Sequence, residues 1–251
     1  MKKPAANDIA IRVKNISKSF KISEKKVDTL KGAFISLFDN KNTTKTLKAL
    51  DNISFDIKKG ETFGIIGRNG SGKSTLTKIM SGAFIPDKGG TVERNGTTML
   101  LNLGVGMSHE LTARQNVYVS GSALGMKIKE IDKIFDDIIA FAELEDFVDS
   151  KIKYFSSGMI QRLSFSIAVN AGADIIFLDE VFAVGDAKFR NKAIEVMEKS
   201  WIEGRTIIMV SHSLNNIKKY CNRALYLKKG KMAYLGDAKK AIDLYNEDNK
   251  S

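Results

Sequence analysis

The segment Gly67-Arg68-Asn69-Gly70-Ser71-Gly72-Lys73-Ser74 constrains this chain more than any other stretch of its 251 residues. It fits G-x-x-x-x-G-K-[ST], follows the apolar run Phe63 to Ile66 and precedes a helical pattern from Thr75 to Met80. Strand, loop and helix are therefore in the order that a phosphate-binding loop requires. The glycines let backbone N–H groups curl around phosphate oxygens, and the positive end of the following helix faces the same anion. Lys73 is expected to reach the β- and γ-phosphates, with the Ser74 hydroxyl serving Mg²⁺.

A loop of this kind needs a buried sheet beneath it. After Gly60 the chain alternates apolar strand candidates, Thr62 to Ile66, Ile175 to Leu178 and Thr206 to Val210, with helical stretches. That alternation predicts an α/β fold with a mostly parallel sheet whose chemistry sits at the carboxyl ends of the strands. Ahead of it, Ile9, Ile11, Val13, Ile16 and Phe20, then Ile53, Phe55 and Ile57, predict two strands ending at a Lys58-Lys59-Gly60 turn. Residues 21–47 match neither strand. Within them Val27, Leu30, Phe34, Leu37 and Phe38 recur at spacings of three and four, one apolar face of a short helix that either packs on the core or docks a partner. Ile128 to about Val148 reads as an acidic amphipathic helix in a separate helical lobe, and the C-terminal part as a hairpin around Lys228 to Lys231 followed by a helix through Tyr245.

A phosphate site that hydrolyses needs a metal-holding carboxylate and a group that orients water. Ile175-Ile176-Phe177-Leu178-Asp179-Glu180 ends an apolar strand in two acids, which makes Asp179 the candidate Mg²⁺ ligand and Glu180 the group that polarises the attacking water. His212 directly follows the third strand, where a neutral imidazole could bond a γ-phosphate and orient Glu180. His109 has no comparable setting.

Composition narrows the class further. Cys221 is the only cysteine, which excludes a disulfide scaffold and fits a reducing cytosol. The first residues lack the apolar region of a signal peptide, and no apolar run approaches the roughly 20 residues of a membrane span. Lys and Arg total 40 against 29 Asp and Glu, and residues 1–60 hold 14 of those cations and only 6 of the acids. Such asymmetry fits an anionic neighbour, nucleic acid or an acidic membrane leaflet, or a merely lysine-rich solvated surface.

Tyr154-Phe155-Ser156-Ser157-Gly158-Met159-Ile160-Gln161-Arg162 lies upstream of Asp179, and Ala183-Val184-Gly185-Asp186 lies just beyond it. A P-loop, this segment, an Asp-Glu strand end, the Asp186 loop and a strand-end His, in that order, resemble an ABC-type ATPase. The middle segment departs from the usual Leu-Ser-Gly-Gly-Gln signature. With Leu178-Asp179-Glu180-Val181-Phe182-Ala183-Val184-Gly185-Asp186 it resembles the ATP-binding subunits of bacterial polysaccharide exporters for O-antigen, capsule or teichoic acid. Leu101-Asn102-Leu103-Gly104-Val105-Gly106, Glu110-Leu111-Thr112-Ala113-Arg114-Gln115-Asn116 and the 21–47 insertion are similar to elements of the same family.

The resemblance implies a single ABC ATPase domain over residues 1–251, with an N-terminal antiparallel β part, an insertion at about 21–47 and a helical, signature-bearing subdomain at about 107–172. It implies a head-to-tail homodimer that sandwiches two ATP molecules with Mg²⁺. In it Gly67, Arg68, Asn69, Gly70, Ser71, Gly72, Lys73, Ser74 and Thr75 of one copy bind ATP opposite Phe155, Ser156, Ser157, Gly158 and Met159 of the other. Phe20 becomes the aromatic platform for adenine, Asp186 a dimer loop residue, and Asn102 the stand-in for a metal-contacting loop glutamine that is missing here. The partners implied are a polytopic transmembrane permease and, through it, a lipid-linked glycan, with no nucleic acid. The implied location is peripheral, on the cytoplasmic face of the cytoplasmic membrane. Ending at Ser251, the chain resembles the short form without a C-terminal carbohydrate-binding domain. An importer subunit, or a soluble nucleic-acid-linked ABC ATPase, is the alternative.

Overall fold

The computed structural model describes residues 8–23, 44–101, 103–179, 186–199, 204–211 and 213–250. Two long strands, β1 (Ile9–Ser23) and β2 (Thr44–Lys58), pair antiparallel. A short strand, β4 (Thr91–Arg94), adds to the other side of β1, making a three-stranded sheet. The second sheet has six strands in the order β5 (Thr98–Leu101), β6 (Ile175–Asp179), β7 (Thr206–Val210), β3 (Thr62–Ile66), β8 (Arg223–Lys228) and β9 (Lys231–Asp237). Its first five strands run parallel, and β9 returns antiparallel at the edge.

The central strands read as continuous apolar runs because both of their faces are covered. Phe63, Ile65, Phe177, Ile208 and Val210 point toward the antiparallel sheet and join Ile11, Val13, Ile53, Phe55 and Ile57 in one cluster. Ile66, Ile176, Leu178, Ile207 and Met209 face the other way, into a cluster built with the helices. Those helices are α2 (Ala113–Ala123), α3 (Ile128–Ala142), α4 (Ser157–Asn170), α5 (Ala187–Met197), α6 (Leu214–Tyr220) and α7 (Ala238–Lys250), whereas α1 (Lys73–Ser81) packs into the first cluster through Leu76, Ile79 and Met80. No helix among the described residues is long and apolar enough to cross a membrane.

The expected strands and the long acidic helix are present, with four differences. The arms of the 21–47 stretch are strand, not irregular chain: Lys21 pairs with Thr46, Ile22 with Lys45 and Ser23 with Thr44. This end of the ribbon is hidden from pattern reading because Lys21, Lys45, Thr46 and Lys48 are exposed and carry no apolar alternation. The expected helical face of Val27, Leu30, Phe34, Leu37 and Phe38 lies outside the described residues. Helix α3 stops at Ala142, where Glu143 turns left-handed with φ 57°, and only a short 3₁₀ turn, Glu145–Phe147, follows. Strands β4 and β5 have four residues each, too short for a period to register. The last helix continues past Tyr245 to Lys250.

Phe177 is fully buried in the centre of the sheet, so truncation there leaves a cavity, whereas Ile128 is 62% exposed at the start of α3. Phe177→Ala is expected to lower unfolding free energy by about 3–5 kcal/mol in urea titration. Ile128→Ala should stay within about 0.5 kcal/mol of the parent.

Candidate functional site

The register of the large sheet sets the site. Ile65 of β3 is level with Val210 of β7, and Val210 with Asp179 of β6, so three carboxyl ends finish side by side. The glycine-rich loop leaves β3 at this edge and enters α1. Gly67 has φ 153°, and a Cβ there would lie 2.3 Å from the Leu227 carbonyl oxygen. Gly72 has φ 106°, and its Cβ would lie 2.7 Å from the Ala49 carbonyl oxygen. Only glycine meets both conditions, so the loop is pressed against β8 on one side and β2 on the other.

Gly72 is the N-cap of α1 and no side chain caps that end, which leaves first-turn N–H groups for a ligand. Lys73 is only 6% exposed, and its ammonium donates to the carbonyls of Gly67 at 2.7 Å and Arg68 at 3.1 Å. The loop's own carbonyls thus hold the cation over the loop. Ser71 Oγ is buried without a hydrogen-bond partner. An unfilled hydroxyl, uncapped N–H groups and a buried ammonium together fit an oxyanion. Ser74, exposed in the first turn, offers a hard oxygen of the kind Mg²⁺ takes.

These residues open into a cleft of about 600 Å³. It is lined by Asn69, Gly70, Gly72, Lys73, Ser74 and Thr75, by Phe20, Leu47, Lys48 and Ala49 of the β1–β2 ribbon, by Val210 of β7, and by Lys229 and Gly230 between β8 and β9. The size suits a nucleotide. Phe20 is half-buried, its ring edge-on to Phe84 at 6.2 Å, and its cross-strand partner Leu47 is 52% exposed beside it. Sequence reading missed Leu47, Lys48 and Lys229. Leu47 and Lys48 become legible once the register of β1 against β2 is known, and Lys229 once the β8–β9 turn is seen to reach the loop.

Asp179 closes β6 on the same sheet edge; its side chain, and the whole of Glu180, His212 and Asn102, lie outside the described residues. The signature segment stands elsewhere, and none of its residues lines the cleft. Phe155 is buried against Phe147, with ring centroids 6.1 Å apart. Ser156 caps α4, its Oγ accepting from the Met159 N–H at 3.2 Å. Ser157 is exposed and Gly158 half-buried in the first turn, so a helix N-terminus is presented outward, while Met159 packs on the core. Asp186 caps α5 through a bond from the Phe189 N–H at 2.9 Å, which holds its carboxyl below the usual range.

The Glu110–Asn116 segment proves to be bracing. Asn116 is fully buried; its Oδ1 accepts from the Ser108 N–H at 2.8 Å, and its amide donates to the Ser108, Leu111 and Thr112 carbonyls. Thr112 and Gln115 close a capping box at the start of α2, which occupies Gln115. Arg114 pairs with Asp149 at 2.8 Å and lies over the Phe135 ring, and Glu110 reaches Lys153 at 3.1 Å.

A family model described as ABC transporter matches residues 50–183. The chain is 40% identical to the teichoic acids export ATP-binding protein TagH of Enterococcus faecalis over 95% of its own length and 52% of that protein's. It is 39% identical to TagH of Listeria innocua, covering 96% of this chain and 70% of that one. To the O-antigen export system ATP-binding protein RfbB of Klebsiella pneumoniae it is 37% identical over 79% of this chain and 81% of the other. The chain thus spans about half the length of the Enterococcus relative. Among solved structures, an ATP-binding subunit of an ABC transporter superposes with TM-score 0.71 at 20% identity, covering 96% of this chain and 100% of that one. A dimeric ATP-binding cassette bound to ADP and Pi superposes with TM-score 0.67 at 24% identity, covering 91% and 98%. The fold is that of these cassettes.

Lys73→Ala removes the ammonium held by the loop carbonyls and is expected to weaken ATP binding at least about tenfold in calorimetry. Unchanged affinity would count against a phosphate role for the loop.

Proposed function

This chain belongs to the ABC transporter family of ATP-binding proteins, and from that premise we propose that it is the ATP-hydrolysing subunit of an exporter of a polysaccharide or lipid-linked glycan. The observation that carries the reading is the cleft itself, a glycine loop with a buried lysine at the level ends of three parallel strands. The export assignment is supported by the teichoic acid and O-antigen export relatives, whose similarity extends over most of the chain.

In this reading Phe20, with Leu47 beside it, stacks on adenine. The N–H groups of the loop and of the first turn of α1 hold the phosphates, and Lys73 turns from the loop carbonyls to the β- and γ-phosphate oxygens. Ser74 and Asp179 would hold Mg²⁺, which when bound would neutralise charge on the phosphates. Glu180 polarises the attacking water, and His212 holds Glu180 and the γ-phosphate in line. The signature N-terminus of α4, outside the cleft of its own chain, is available to the cleft of a second copy, and Asp186 lies at the border of the dimer. Closure on ATP and reopening after hydrolysis would then drive a polytopic permease, because nucleotide binds the closed dimer better than the open one. The protein would work at the cytoplasmic face of the membrane as a peripheral subunit.

Glu180→Gln is expected to bind ATP, lose turnover by about 10²–10⁴ and accumulate as a dimer in size-exclusion chromatography. Parent-like hydrolysis in that variant would sink the assignment of Glu180. A tagged copy purified from membranes should bring down a polytopic protein in stoichiometric amount; recovery of nucleic acid in its place would overturn the transport reading.

A further inference from the structure

The turn between β8 and β9 reads Lys228-Lys229-Gly230-Lys231, and three of its features bear on the nucleotide cleft. Lys228 and Lys231 face each other as the last ladder pair, so Lys229-Gly230 is a two-residue loop. Both of its residues have positive φ, 49° and 78°. Such loops favour Asn or Asp before Gly, because a longer side chain gains nothing from the left-handed conformation and pays for it. Of the four non-glycine residues with positive φ among those described, two are asparagines, Asn15 and Asn52, and a third, Glu143, ends a helix. Lys229 is the one that the turn itself does not explain.

The turn is also fixed to the phosphate loop. The Gly230 N–H donates to the Ser71 carbonyl at 2.9 Å, and the Gly230 carbonyl accepts from the Asp51 N–H at 2.8 Å. A Cβ on Gly230 would lie 2.7 Å from the Ala49 carbonyl oxygen, so nothing but glycine brings the turn this close. Lys229 is therefore carried by a two-sided clamp and lines the same cleft as Lys73 and Ser74.

The neighbouring cations are already committed. Lys228 pairs with Asp248 at 2.8 Å and Lys231 with Asp51 at 3.4 Å. Lys48, which also lines the cleft, is likewise paired with Asp51. Lys229 is exposed and has no ion pair among the described residues. A free ammonium held at a fixed place on the rim of an oxyanion site attracts the ligand's own charge.

We propose that Lys229 is a nucleotide-contacting residue, a second ammonium that binds the phosphate chain from the β8–β9 turn and adds to the grip of the P-loop. This rests on the nucleotide reading of the cleft. Because the contact exists in the bound ground state, it acts on affinity more than on the chemical step, and KM for ATP should carry its effect.

The test uses the full chain and titrates ATP by calorimetry. Lys229→Asn removes the charge with a residue that tolerates the left-handed turn, so its thermal midpoint should be unchanged or higher. It is expected to weaken ATP binding about three- to tenfold and to raise KM with kcat retained. Lys229→Arg should restore affinity to within about twofold, and Lys228→Asn, the same change of net charge one residue away, should leave it intact. ATP affinity that is indifferent to Lys229→Asn, or lowered equally by Lys228→Asn, overturns the inference. Loss of affinity with Lys73→Ala but not with Lys229→Asn would defeat this inference alone. ATP binding indifferent to both would defeat the nucleotide reading beneath it.

Discussion

Everything at the site depends on three parallel strands finishing level. Ile65, Val210 and Asp179 stand in one register line across β3, β7 and β6, and that line is held by apolar side chains on both faces of the sheet. A one-residue slip of any of these strands would exchange its two faces, putting Phe177 where Ile176 belongs, and both clusters would lose their fit. The register is therefore enforced by the whole core.

The phosphate loop is the exception, because it is irregular backbone and must be held explicitly. Its glycines are required on the outside as much as on the inside: Gly67 and Gly72 have no room for a Cβ against Leu227 and Ala49, and Gly230 has none against Ala49 either. The Ala49–Asp51 stretch of β2 thus touches both the loop and the turn that bonds to it. The antiparallel sheet is in this sense part of the site, as the outer jaw of a clamp. Its charges are largely committed as well. Arg12 bonds Asp56 and Glu93, Lys14 bonds Glu93, Lys18 bonds Asp87 and Lys48 bonds Asp51, so the basic excess of the first 60 residues is partly internal to the fold and not all turned toward an outside anion.

The parallel core was legible because buried strands must be apolar on both faces and because a glycine loop between strand and helix has few other uses. Phe20 was reached only through the family resemblance, and its neighbour Leu47 was not legible, since an exposed leucine on a lysine-rich ribbon carries no period. The same holds for Lys21 to Ser23 and Thr44 to Thr46: Lys21, Lys45 and Thr46 are exposed, so this end of the ribbon is marked by backbone pairing and not by side-chain pattern. Lys229 was hidden for another reason. Its hairpin was readable, yet the contact between that hairpin and Ser71 joins residues far apart in the chain.

The motif segments divide into two kinds once their contacts are known. The P-loop leaves donors unfilled: a buried Ser71 hydroxyl and an uncapped helix end. In the Glu110–Asn116 segment almost every group is consumed internally, with Asn116 bonding four backbone groups, Thr112 and Gln115 capping α2, and Arg114 and Glu110 paired across to Asp149 and Lys153. The α4 segment lies between these limits, because Ser156 is spent on capping while Ser157 and the first-turn N–H groups stay outward. Polar groups left without internal partners are what a ligand or a second copy can satisfy, and groups already satisfied can only hold shape. By that criterion the P-loop cleft and the N-terminus of α4 are both faces that ask for company. Since no residue of the second lines the first, a single copy cannot satisfy one with the other.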